Sequence, residues 1–507
     1  MLAISREAAL ALPEQIRKNM SEHADANREQ ASLLQDLRRD WGGMAGRASG
    51  YNARSQGACM SSLISAWRHR PTHARVWALA APMILSNISV PLVALVDSTV
   101  IGHLPHAHQL GAVAVGASLY TFLAWAMGFL RMGATGFAAQ AAGRADGAAL
   151  RQILVQGLLL AMGLSLLLGA IGVPLSSAAL QLMQPSAELD EMTRTFFHTR
   201  LLGLPAALAS MALVGWFLGT QNARAPLAIL LGTNLVNIAL NLWFVLGLDW
   251  GVAGSARASV IAEWTGALIG LAMTRPALRA YPGQLAWAAL QRWASWRPLL
   301  AVNRDIFIRS LALQSVFFLI TVQGARLGDA TVAANALLLN GLLLTAHALD
   351  GLAHAVEALC GHAIGARDRL ALRRSLVVAG GWSLLASSGF AVLFLCAGHL
   401  FIEMQTDIAE VRQTAFTYLP YLAALPLIAV WSYLLDGLFI GATRAREMRN
   451  GMLLSVLISL PCAWALQGLG NHGLWLTFLL FMLVRSLTLL AFALGLRRHD
   501  GWFSPAR

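Results

Sequence analysis

Charge is scarce in this chain of 507 residues: Asp, Glu, Lys and Arg make up 12% of it, against 57% hydrophobic residues. Soluble domains carry roughly a quarter charged residues, so too little polar surface exists to coat a water-soluble globule of this length. That argues against a soluble enzyme. Lysine is missing but for Lys18. With it goes any GxxxxGK[ST] phosphate loop, and so ATP hydrolysis by this chain is excluded. Cysteine is sparse too. Cys59, Cys360, Cys396 and Cys462 show no CxxC spacing, and three of them sit in apolar runs, so neither a disulfide framework nor a zinc site is indicated. The net charge of +12 comes almost wholly from arginines in short segments between apolar runs. That distribution reads as membrane topology and not as a nucleic-acid-binding face.

What is present is long apolar runs. Runs of about 18 or more apolar residues mean bilayer-spanning helices. The sequence predicts twelve, over about 76–102, 110–140, 151–182, 194–220, 225–247, 252–274, 299–326, 330–364, 373–402, 410–442, 449–468 and 473–496. The fold class expected is an all-α membrane protein with twelve transmembrane helices in two pseudo-symmetric six-helix bundles. The domains are a polar N-terminal extension (1–72), an N-lobe (73–290), a C-lobe (291–499) and a short tail (500–507). The extension has no continuous apolar core of the signal-peptide kind. It is read as a weakly ordered cytoplasmic tail, with an amphipathic helix around Pro13 to Arg39, or as an over-extended start with translation beginning at Met60.

With the N-terminus inside, the even-numbered connections carry the arginines, among them Arg144, Arg224, Arg279, Arg373 and Arg446. The odd-numbered ones hold acids such as Glu188, Asp249, Asp329 and Glu403. The positive-inside bias therefore places both termini in the cytoplasm and the protein in the cell inner (plasma) membrane. The lipid bilayer is its first partner, no nucleic acid is expected, and a monomer is expected. A shift of 222 residues lays one half on the other: Gly215-Trp216-Phe217-Leu218-Gly219 falls on Gly437-Leu438-Phe439-Ile440-Gly441, Gly143 on Gly365, Asp146 on Asp368 and Arg224 on Arg446. Internal repeats of this kind are a signature of secondary transporters, in which two bundles rock about a central site.

Such a cycle needs an ion-binding or titratable group inside the membrane, where a charge is expensive. Asp97 in the first span is the foremost candidate, with Pro91 six residues earlier permitting a bend. On span five Asn234, Asn237 and Asn241 share one helical face and need partners. Asp97 is the expected acceptor, and Ser259 and Glu263 on span six are further members. Span eight carries a second stripe, His347, Asp350, His354 and Glu357. Its residue types suit a metal, a contact to a proton or cationic substrate, or a structural polar seam. One helix offers only neighbouring pairs to a single ion, so no metal centre and no cofactor is assigned. Arg309, Arg326, Asp436 and Arg485 are expected to supply the stripe's counter-ions, while Arg131 on span two has no partner identifiable from sequence.

The stretches ALAAPMILSNISVPLVALVDSTVIGHL (78–104), GFLRMGATGFAAQAAGR (128–144), GWFLGTQNARAP (215–226), VNRDIFIRS (302–310), ALDGLAHAVEA (348–358) and LLDGLFIGATRAREMRN (434–450) resemble the multidrug and toxic compound extrusion (MATE) family in its DinF-like branch. The likeness extends over about residues 74–499. It implies twelve helices in two lobes, and export of small cationic or amphipathic compounds by antiport with protons or sodium as coupling ion. It also implies that Asp97 and Asn237 match the family's N-lobe cation site. Where many relatives carry a second Asp on helix five, this chain has Asn241, which favours protons over sodium because hard cations prefer anionic oxygens. A flippase for a lipid-linked precursor would use the same bundle pair with a net basic cavity, and Arg131, Arg309 and Arg485 keep that alternative open. A membrane enzyme lacks a convergent nucleophile and base, and isolated interior charges suit alternating access better than a continuous pore.

Overall fold

The computed structural model describes residues 63–102, 107–498 and 501–503. The chain divides into Met1–Ser65 and a second compact unit, Ala66–Arg507. The expectations for Pro13 to Arg39, for a start at Met60 and for Cys59 lie outside the described residues. All that follows concerns the second unit.

Its described elements are helices throughout: α1 (Arg70–Gly102), α2a (Ala107–Trp125), α2b (Phe129–Gly143), α3 (Gly147–Met183), α4a (Ala187–Leu201), α4b (Leu204–Gly219), α5 (Arg224–Asn241), α6 (Gly251–Arg279), α7 (Trp293–Arg326), α8 (Asp329–Gly365), α9 (Arg369–Glu403), α10 (Ala409–Gly441), α11 (Ala445–Ala465) and α12 (Asn471–Arg498). A 3₁₀ turn, Ala126–Gly128, joins α2a to α2b, and a π-helical segment, Leu242–Gly247, prolongs α5. Most helices extend several residues past the apolar runs, as α7 does from Trp293. Backbone hydrogen bonding continues beyond the hydrocarbon edge where hydropathy already fails. Among the described residues, eight helices meet a length-and-composition test for crossing a membrane, and a ninth does if the pair α4a and α4b, bent by 45°, is one span. The remaining three, α1, α6 and α11, have 33, 29 and 21 residues, so length does not exclude them. Charged residues dilute α6 and α11, Arg257 and Glu263 in the one and Arg446 and Arg449 in the other, whereas residues 78–95 of α1 form an apolar run without Asp, Glu, Lys or Arg.

The repeat read from sequence is present in the backbone. Helices α4a and α10 begin at 187 and 409, α3 and α9 at 147 and 369, and α2b and α8 end at 143 and 365. The turns match as well. Ala145 and Arg367 both adopt φ 55°, and Gln221 and Thr443 adopt φ 59° and 55°. Each is the left-handed residue of a helix-ending turn in which the next N–H bonds back five residues: Asp146 to Ala141, Asp368 to Ala363, Asn222 to Phe217 and Arg444 to Phe439. Asp146 and Asp368 then cap the following helices by accepting from Ala149 N and Ala371 N, both at 2.9 Å.

Helices α1–α6 pack among themselves, as do α7–α12, and the two sets meet mainly where α1 and α2b contact α8 and where α2b contacts α7 and α10. The approach is closest at the Arg-rich end. A Cβ on Gly143 would meet the carbonyl of His362, and one on Gly365 would meet that of Gln140, its pseudo-symmetric counterpart. Only glycine leaves room for backbones this close. Gln140 Nε2 donates across the same seam to Gly441 O (3.0 Å) and Thr443 Oγ1 (3.2 Å). From Gly351 to Gly361 helix α8 is buried on every side. Toward its N-terminus buried and exposed positions mix, and there the two lobes part.

Two domain boundaries move. Residues 66–72, assigned to the extension by polarity, belong to the second unit: Trp67 packs edge-on to His73, and Trp382 of α9 donates to His73 Nδ1 at 3.0 Å. In the expected tail 500–507, Gly501–Phe503 forms a 3₁₀ turn whose Trp502 is buried against Phe439, while Arg444 donates to Gly501 O.

Candidate functional site

Polar side chains gather in two places. The first lies within the N-lobe. Asp97 Oδ1 on α1 accepts from Asn241 Nδ2 of α5 at 2.7 Å, Asn241 Nδ2 also reaches Asn237 Oδ1 at 3.3 Å, and Asn237 Nδ2 donates to Ser259 Oγ of α6 at 3.0 Å. The i, i+4 spacing of the two asparagines makes this a continuous chain across three helices. Asn241 is fully buried and sits at the junction where α5 passes into its π-helical turn; its Oδ1 has no partner. Such turns shift the register of a helix face and recur at functional sites.

Two members of the expected set lie elsewhere. Asn234 donates to Ser89 Oγ at 2.6 Å, outside the Asp97 chain. Glu263 is held instead by Arg200 (2.9 Å) and by the Tyr120 hydroxyl (3.0 Å), and the Arg200 guanidinium lies 4.0 Å over the Tyr120 ring. A buried carboxylate is stabilised most by a cation in direct contact, and Arg200 supplies it. Arg200 is also within electrostatic range of Asp97, so it links the two groups at one remove. Sequence reasoning missed Arg200 and Tyr120. Arg200 carried a usable signal, an arginine inside an apolar span, like Arg131.

The second place is a cavity of ≈ 610 Å³ between the lobes, above the glycine-lined seam. Asp350, His354 and Glu357 of the α8 stripe line it; His347 does not, and its backbone carbonyl accepts from Asn87 Nδ2 at 3.0 Å. The counter-ion assignment made from sequence is corrected. Arg131 Nη1, from the opposite lobe, bonds Glu357 at 2.9 Å, with Nη2 at 3.5 Å to the other oxygen. Arg309 and Arg485 both donate to Asp436 Oδ2 and not to the stripe. Arg326 is exposed at the end of α7 and lines no part of the cavity. Helices α2b, α7, α10 and α12 contribute one charged side chain each to the cavity, so only the packing of those helices with α8 selects the pairs. Among the described residues no three His, Cys, Asp or Glu side chains converge as a metal centre.

Comparison with known proteins accords with this architecture. The family model MatE matches residues 82–243 and 306–465, one stretch in each half. The chain is 46% identical over 439 residues to DNA damage-inducible protein F of Escherichia coli (strain K12), covering 85% of this chain and 94% of that one. It is 26% identical over 421 residues to multidrug resistance protein PmpM of Pseudomonas aeruginosa, covering 78% and 86%. A solved multidrug resistance MATE family transporter of the MOP superfamily, in an outward-facing conformation, superposes with a TM-score of 0.76 at 17% identity, covering 85% of this chain and 96% of that one. A MOP superfamily transporter from Pyrococcus furiosus, described as having a binding pocket of reverse polarity, gives the same TM-score at 16% identity, covering 85% and 97%. These likenesses of structure show the fold of twelve helices in two lobes. The chain is a multi-pass membrane protein and belongs to the MatE family of multidrug and toxic compound efflux transporters.

Proposed function

We propose that this protein is a secondary active exporter that couples outward movement of small cationic or amphipathic compounds to inward movement of protons. Its two lobes would alternate access in the plasma membrane, with both termini on the cytoplasmic side. The observation that carries the reading is the Asp97–Asn241–Asn237–Ser259 chain, a single carboxylate held within a transmembrane bundle by amides from another helix.

The ligand set favours a proton over sodium. Asp97 accepts from the NH₂ of Asn241, a donor, where a bound sodium ion would need further oxygens. A carboxyl that gains a proton needs an acceptor in turn, and the unpartnered Asn241 Oδ1 provides one if the amide turns over. Protonation would then reverse the Asp97–Asn241 hydrogen bond between α1 and α5 and cut the link from Asn241 to Asn237 Oδ1 within α5, which is a differential contact of the kind a two-state cycle requires. The glycine-lined seam closes the Arg-rich end. If that end is cytoplasmic, as the positive-inside bias has it, this state faces outward.

The cavity gives the flippase alternative no support: three arginines face three carboxylates, so it is balanced and not net basic. The test is efflux from proteoliposomes under separately imposed proton and sodium gradients, with wild type and Asp97→Asn. Wild type should respond to the proton gradient and the isosteric variant should not. Transport unchanged by the substitution refutes the coupling role.

A further inference from the structure

The chain passes from the first lobe to the second between Glu263 and Asp305, and no acidic residue lies between those two. The same stretch carries Arg275, Arg279, Arg292, Arg297 and Arg304. Arg304 pairs with Asp305 at 3.0 Å. The other four are exposed and make no ion pair among the described residues.

Their place on the helices matters more than their number. On α6 the exposed residues Trp264, Leu268, Leu271, Arg275 and Arg279 follow one another three or four positions apart, so they share a face. On α7 the exposed residues Trp293, Arg297, Arg304, Leu311 and Phe318 do the same. A face that exposes leucine and phenylalanine on a transmembrane helix faces lipid. Both stripes change from apolar to arginine toward the Arg-rich end, so these guanidinium groups continue the lipid-facing surface at headgroup level, where long basic side chains settle.

The segment between the two helices is built, not loose. Arg151 of α3 donates to Tyr281 O (2.8 Å) and Leu278 O (3.1 Å), and Gln156 of α3 donates to Ser295 O at 3.2 Å. Ser295 Oγ donates to Arg292 O and Trp296 Nε1 to Leu290 O, both at 2.8 Å, which folds the segment back on the start of α7. Trp296 is thus turned inward, while Trp287 and Trp293 are 70% and 67% exposed. Indoles exposed beside a lipid-facing surface belong to the interfacial belt. Because the backbone is already fixed, a headgroup bound here orders little that is not ordered before.

We infer that this interlobe segment is a binding surface for anionic phospholipid headgroups in the leaflet at the Arg-rich end, with the guanidinium groups of Arg275, Arg279, Arg292 and Arg297 on the phosphates and Trp287 and Trp293 seated beside them. A guanidinium meets a phosphate in two parallel hydrogen bonds. In a zwitterionic headgroup the choline offsets the phosphate charge, whereas phosphatidylglycerol presents it uncompensated, so the surface selects the anionic lipid.

The experiment uses the full chain in vesicles of brominated phosphatidylcholine, which quenches any indole it touches, with bromine-free phosphatidylglycerol added in steps. The signal of Trp287 and Trp293 is the difference between wild type and the Trp287→Phe, Trp293→Phe variant. Recovery of that signal should show phosphatidylglycerol favoured over phosphatidylcholine by about fivefold or more, the scale of one basic residue at an anionic surface. The preference should shrink in 1 M salt, where the screening length falls to about 3 Å. Replacing the four arginines by glutamine should remove it. Equal association of the two lipids with wild type overturns the inference, and that comparison needs no arginine variant to fold. So does a preference that the four substitutions leave intact. Linker indoles that brominated lipid does not quench would face water, and the arginines would then serve a soluble polyanion instead.

Discussion

Glu357→Gln should open the end of the molecule that is closed here. Arg131 belongs to the first lobe and Glu357 to the second; their side chains are 18% and 3% exposed, and their contact at 2.9 Å forms the floor of the cavity. Removing one partner of a buried pair costs about 3–5 kcal/mol, mostly because the other charge is left uncompensated. Glutamine keeps one hydrogen bond to the guanidinium, so the loss should fall near the lower figure. Since the pair exists only while the lobes meet at this end, that energy separates the two conformations, and about 3 kcal/mol is roughly a hundredfold shift between them. The assay is a spin-label distance between Cys replacements of Arg224 and Arg446, in a background lacking the native cysteines. Both positions are exposed, start α5 and α11 at the Arg-rich end, and correspond under the repeat. Wild type should give one short distance, and Glu357→Gln a second, longer population. An unchanged distribution with unchanged thermal stability would show that the pair does not hold the lobes together.

Two further outcomes follow from the same geometry. Asn241→Asp adds a second carboxylate to the Asp97 chain and should make transport in proteoliposomes respond to a sodium gradient that leaves wild type unaffected; no gain of sodium response would break the link between ligand charge and ion choice. Gly143→Ala sets a methyl group against the His362 carbonyl and should destabilise the closed seam by about 1–3 kcal/mol. The expected readout is the same long population in the distance measurement, while Gly163→Ala, whose added Cβ meets nothing within 4 Å, should have no such effect.

Periodicity and composition carried the architecture. The apolar runs and the repeat at 222 residues, with Asp146 matched to Asp368, rest on local rules, and each reappears in the helices, where the two aspartates prove to be caps. The i, i+4 relation of Asn237 and Asn241 was equally legible, because a helix face is a property of one segment. What failed were statements about which segment faces which. Glu263 was assigned to Asp97 because both are polar and intramembrane, yet Arg200 and Tyr120 take it. Arg309, Arg485 and Asp436 were assigned to the α8 stripe, yet they pair with one another and Arg131 fills the place at Glu357.

The sequence by itself determined how many spans form, where they turn and that the chain is built twice. These depend on the free energy of each segment against water and lipid, which is nearly independent of its neighbours. The tertiary structure alone decided the pairing of the buried charges, the closure of one end by Gly143 and Gly365, and the sharing of Asp436 by Arg309 and Arg485. Those depend on distances of a few ångströms between residues hundreds of positions apart, which interhelical packing sets and no local pattern encodes.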